Sequence, residues 1–197
     1  MIVEWVYKIK MRLRAFIIMQ SLRPSAPLWL FFVSVIESSI FPIPPDVMLI
    51  TMVVSGYERP YRLAGLTTAG SVLGGVIGYI IGTVFFETIG VRLVELYGLA
   101  DEVVRVAGYF EQNAFTAIFL SAFTPIPYKV FTLGAGLFSI SFLQFMLASV
   151  LGRGSRFYLE VFFLKRYGHG LGRIFFRYFN GISFILAILI LIWVFMR

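Results

Sequence analysis

The feature that most limits how this chain can fold is an interruption: F41PIPPD46 breaks an apolar block that runs from Ala26 to Gly56. As one straight helix such a block would be ~46 Å long at ~1.5 Å per residue, against a hydrocarbon core of ~30 Å. Pro42, Pro44 and Pro45 each lack an N–H and push the preceding residue out of the α region, so the helix is expected to break there. The block reads as two half-helices joined at a proline tip, with a single kinked, tilted helix as the alternative. Irregular backbone at membrane depth persists only where protein or a water-filled cavity encloses it, so the tip is expected inside the molecule, as a re-entrant hairpin.

The rest of the chain has the same character. Of 197 residues, 59% are hydrophobic and 14% charged, and apolar segments recur along the whole length, which identifies an integral membrane protein rather than a secreted domain with a leader. The net charge of +7 fits cytoplasmic loops and anionic headgroups better than nucleic acid. The chain has no cysteine, and its single histidine, His169, lies in a basic glycine-rich segment outside the apolar blocks and reads as a surface residue, so neither a Ser/His/Asp triad nor a cysteine or histidine metal site is expected. No enzyme activity, metal or cofactor is expected.

Residues 1–24 interleave Lys8, Lys10, Arg12, Arg14 and Arg23 with Trp5, Ile9, Leu13 and Phe16, the pattern of a basic amphipathic helix lying on the membrane. After Y57ERPYR62, Gly70, Gly74, Gly78 and Gly82 recur every fourth residue of an apolar segment, a spacing that lets helix backbones approach closely. Residues 87–113 are amphipathic and acidic. A second proline tip, with Pro125, Pro127 and then Lys129, lies in the apolar stretch 114–139, followed by a spanning segment, 142–164. A basic segment, 165–180, and a C-terminal transmembrane helix, 181–197, complete the chain.

Two matches in the same order reveal a repeat: P42IPPDV47 over P125IPYKV130, and G70SVLGG75 over A148SVLGR153. Repeat 1 covers about 26–86 and repeat 2 about 114–164, within a transmembrane domain 25–164. If each hairpin returns to its own side, Lys and Arg gather on the cytoplasmic face with the N-terminus, and the acidic 87–113 segment lies outside. The expected fold is therefore an all-α polytopic membrane protein of two inverted repeats. Each is a proline-tipped re-entrant hairpin plus a transmembrane helix, and the tips meet near the midplane.

Ionisable residues within the apolar blocks are few: Glu37, Asp46, Lys129, Arg153, Arg156 and Glu160. A charge at the bilayer centre costs ~2.5–3.5 kcal/mol on insertion scales, so these side chains should face one another or a wet cavity. The repeat alignment lays Asp46 over Lys129 and predicts that they approach. Arg153 and Arg156 share a helix face and, with Lys129, suit a phosphate. Glu37 and Asp46 are the candidate proton-coupling groups, because burial favours the neutral form of a carboxyl. Ser38, Ser39 and Thr124 read as caps for the broken helices.

Four motifs in order, E37SSIFPIPPD46, G70SVLGGVIGYIIG82, F123TPIPYKVFTLGAG136 and L151GRGSRFY158, resemble the DedA or VTT-domain membrane proteins over about residues 30–160. The second tip departs from the common bacterial pattern: Ala122 and Thr124 flank Phe123 where an arginine would precede the proline, leaving Lys129 as the nearby base. The resemblance implies paired re-entrant hairpins in an inverted repeat and the movement of undecaprenyl phosphate or phospholipid between leaflets of the cytoplasmic membrane, driven by protons. It also gives functional weight to Glu37, Asp46 and the basic residues of the second half. The expected partners are membrane lipids with anionic headgroups, and homo-oligomerisation is left open. A secondary transporter of a small ion or solute and a non-transporting scaffold are the alternatives.

Overall fold

The structure, a computed structural model, describes residues 19, 21, 23–39, 45–98, 100–124 and 126–195. Most of the N-terminal basic segment, and Pro42, Pro44 and Pro125, lie outside the described residues. Within them all regular structure is helical: α1 (Ala26–Ser39), α2 (Asp46–Val54), α3 (Pro60–Phe85), α4 (Val91–Tyr97), α5 (Ala100–Phe123), α6 (Tyr128–Leu137) and α7 (Phe142–Phe195). A π-helical turn, Phe86–Gly90, joins α3 to α4 without a break. Backbone geometry interrupts α7 at Gly168, with φ 71° and ψ −176°, a left-handed value that glycine adopts without a Cβ penalty.

Prolines mark where α2 and α6 begin. Pro45 and Pro127 are the residues just before these helices, where a missing N–H costs nothing because the first N–H groups of a helix have no partner within it. With nine and ten residues, α2 and α6 are about 14 and 15 Å long, half of a ~30 Å hydrocarbon core. The run Pro60–Tyr97 is the one helix among the described residues long and apolar enough to cross a membrane. Its outer face exposes Leu73, Ile77, Ile80, Ile81 and Val84, an apolar stripe suited to lipid.

The opposite face of α3 carries the glycines. Gly70 and Gly74 lie against the carbonyls of Phe31 and Val35 of α1, and Gly78 and Gly82 against Thr132 and the Leu133 carbonyl of α6. A Cβ at any of these positions would collide with the neighbour, so the stripe sets the approach of two helices at once. Gly136 of α6 and Gly152 of α7 do the same against the carbonyls of Tyr79 and Phe119, two close approaches that the fourfold spacing did not reveal.

The packing repeats itself. In each half the first arm lies on its own closing helix, α1 on α3 and α5 on α7. The second arm of each half lies on the other half's closing helix, α6 on α3 and α2 on α7. Two apolar cores result: one of Leu30, Met48, Leu49, Met52, Leu63, Phe157 and Val161, the other of Ile118, Ala122, Tyr128, Ile140 and Phe145. The amphipathic 87–113 segment divides between α4, which ends at a left-handed Gly98, and α5, which starts at Ala100, so that its second part is continuous with the first arm of the second half.

Candidate functional site

Polar and charged side chains collect where the helices break. Asp46 is the first residue of α2, so its carboxylate lies at the positive end of that helix's dipole. Opposite it, Arg156 of α7 gives an Nη2–H to Asp46 Oδ2 at 2.9 Å and an Nη1–H to the Thr124 carbonyl at 3.1 Å. That carbonyl follows the last turn of α5, where backbone oxygens lack helical partners and the dipole favours a cation. One guanidinium thus ties the start of α2 to the end of α5, across both breaks.

A second pair runs beside the first. Arg153, three residues earlier on α7 and 5% exposed, places Nη2 3.7 Å from Glu37 Oε2 of α1. At that distance the attraction is Coulombic rather than a short hydrogen bond. The Arg153 guanidinium also lies 4.2 Å from the centre of the Tyr128 ring, a cation–π contact from the first residue of α6. Ser38 Oγ donates to Glu37 Oε2 at 2.8 Å and so accepts from Ser71 Oγ, 2.7 Å away on α3. Glu160, buried one turn after Arg156, completes a group of three carboxyls and two guanidiniums.

Among the described residues, three buried polar atoms here, Tyr128 Oη, Ser149 Oγ and Arg153 Nε, find no well-formed hydrogen-bond partner, although the Tyr128 and Ser149 hydroxyls face each other. Tyr128 Oη also fills the space left by Gly75, which could not become alanine without moving it. The cluster is polar but incompletely satisfied, the condition in which a water or a ligand group finds donors already in place.

The sequence-predicted residues are distributed as follows. Glu37, Asp46, Arg153 and Arg156 come together. Lys129 is half-buried and makes no ion pair among the described residues, and the cation that Asp46 meets is Arg156. The reason is register: α2 lies along α7, whose face presents Arg156 to the Asp46 end of α2. Both arginines assigned to phosphate face carboxylates in this state. Of the predicted caps, Ser39 Oγ bonds the Ile36 carbonyl and Thr124 Oγ1 the Leu120 carbonyl, whereas Ser38 serves the Glu37 carboxylate. Tyr128 was not anticipated, since one tyrosine beside a proline tip is indistinguishable in sequence from any packed aromatic.

The sequence model of the VTT domain matches residues 43–166, a stretch containing α3, α7 up to residue 166 and most of the charge cluster. The chain belongs to the VTT-domain, or DedA, family of membrane proteins. An uncharacterized protein of Haemophilus influenzae is 44% identical to this DedA-family chain over 135 residues, 68% of the chain and 69% of the relative. An uncharacterized protein of Histophilus somni is 37% identical over 134 residues, 68% and 70% of the two chains. An archaeal relative, an uncharacterized protein of Methanocaldococcus jannaschii, is 23% identical over 125 residues, 63% and 74%. No solved structure matches significantly.

Proposed function

We propose that this DedA-family protein moves an anionic lipid headgroup, a polyprenyl phosphate or phospholipid, between membrane leaflets by exchanging it for protons. The observation that carries this reading is the pair of second-half arginines held against first-half carboxylates at the helix breaks, Arg156 on Asp46 and Arg153 near Glu37. Two helices half a membrane long and the packing that repeats between the halves support an inverted pair of re-entrant hairpins, with the cluster near the midplane.

In this mechanism the carboxylates stand in for the phosphate. Protonating Asp46 or Glu37 removes the internal counter-charge, and the freed guanidinium can fork two hydrogen bonds to a phosphate. Deprotonation restores the internal pair and expels the headgroup. Lys129, which makes no ion pair among the described residues, supplies a further cation for the phosphate. The multi-pass topology, with the N-terminus and the α2–α3 turn on the cytoplasmic face, follows from the concentration of Lys and Arg there.

Purified protein in vesicles, loaded with a labelled prenyl phosphate or phosphatidylglycerol in one leaflet, tests the reading. Protein-dependent transfer that responds to a pH step and is lost in Glu37→Gln is the expected result. An unchanged leaflet distribution with folded protein would overturn it in favour of a solute carrier or scaffold.

A further inference from the structure

The ends of α1, α2 and α3 remote from the helix breaks surround a second polar place. Arg23 precedes α1, Arg59 immediately precedes α3, and Arg62 belongs to the first turn of α3. Together they line an open cavity of about 610 Å³ whose apolar lining includes the buried Ala26 and Met52. One carboxylate, Glu58, shares the lining, so its charged residues sum to 3 − 1 = +2. Among the described residues none of the three arginines makes an ion pair. The first turn of α3 adds the positive end of a 26-residue helix, and the residue before it, Arg59, makes no side-chain capping bond.

Three arginines around one concavity repel one another unless an anion lies among them, and guanidinium forks match phosphate oxygens. The surface beside the cavity is built for lipid: Leu28, Trp29, Val54 and Tyr61 are exposed there, and Trp and Tyr are the residues that favour the headgroup level. The volume is that of a small-molecule site, large enough for a whole headgroup. We propose that this cavity binds the phosphate of an anionic phospholipid from the adjoining leaflet, as a resident-lipid site separate from the charge cluster at the helix breaks.

The test is lipid retention by the full-length protein in neutral detergent, titrated with phosphatidylglycerol, phosphatidylcholine or inorganic phosphate and read by native mass spectrometry. Replacing Arg23, Arg59 and Arg62 together by Gln should weaken phosphatidylglycerol binding on the order of 100-fold, about fivefold per arginine. Glu58→Gln should tighten it, and phosphatidylcholine should not discriminate the variants. All three arginines are exposed, so folding should survive, and the triple Lys variant, which keeps the charge, should retain most of the binding. Arg156→Gln should abolish transport while the loss of phosphatidylglycerol binding on replacing Arg23, Arg59 and Arg62 by Gln persists in its background, which separates failure here from failure of the transport reading. Equal phosphatidylglycerol affinity in wild type and the Gln variant would overturn the proposal. Displacement of the lipid by equimolar inorganic phosphate would overturn its lipid assignment and leave a free-phosphate site.

Discussion

Arg156→Gln is the perturbation whose size can be worked from the geometry. It removes the 2.9 Å pair with Asp46 and leaves that carboxylate without a cation at the helix break. Stranding one partner of a buried pair costs ~3–5 kcal/mol. The Asp46 side chain is 29% exposed and that of Arg156 12%, so solvent screens part of the charge, which points to the lower end, ~3 kcal/mol. Asp46→Asn should cost less, ~2 kcal/mol, because Arg156 keeps the Thr124 carbonyl and the neighbouring Glu160 carboxyl. The double variant strands neither, and should be ~2 kcal/mol more stable than the sum of the two single losses predicts, ~30-fold in the unfolding constant. Reversible unfolding in mixed micelles, followed by helical circular dichroism, reads all four corners of the cycle. Additivity within ~0.5 kcal/mol would refute the claim that these two side chains meet in the membrane.

Four further outcomes follow from the same contacts. Gly136→Ala and Gly82→Ala each drive a methyl into a backbone carbonyl that cannot move aside, and each should cost ~1–3 kcal/mol or more in micelle unfolding. Gly108→Ala, in α5 with nothing within 4 Å of the added methyl, should instead stabilise by up to ~1 kcal/mol through helix propensity. Tyr128→Phe removes a buried hydroxyl that makes no well-formed hydrogen bond among the described residues and should be close to neutral, whereas Tyr128→Leu loses the cation–π contact with Arg153, worth ~0.5–2 kcal/mol. Ser71→Ala takes the donor from Ser38 and should cost ~1 kcal/mol while leaving the glycine contacts of α3 intact.

Much of this arrangement was legible before any coordinates. Prolines in an apolar block can mean little other than a broken helix, and charges there are so costly that Glu37, Asp46, Arg153 and Arg156 announced themselves. Glycines every four residues mark a close-packed face because nothing but the absent side chain explains them. What escaped depends on how helices cross. The repeat alignment pairs residues by symmetry and so pointed Asp46 at Lys129, but which cation is met depends on the register of α2 against α7. Gly136 and Gly152 each make a single close approach, with no stripe to betray them. Glu160 was visible as a buried charge, yet its place beside Arg156 and Asp46 takes the tertiary packing of α2 on α7 to appear.

The central claim is that the two halves enter the membrane from opposite faces, so that their breaks meet inside it. Ser55 ends α2 and Ser139 follows α6, both are exposed, and the chain contains no native cysteine to confuse labelling. Single cysteines at these two positions, challenged in oriented vesicles with a membrane-impermeant maleimide, should react from opposite sides. Reaction of both from the same side would place the two hairpins in parallel and contradict the inverted arrangement on which the meeting of the two tips rests.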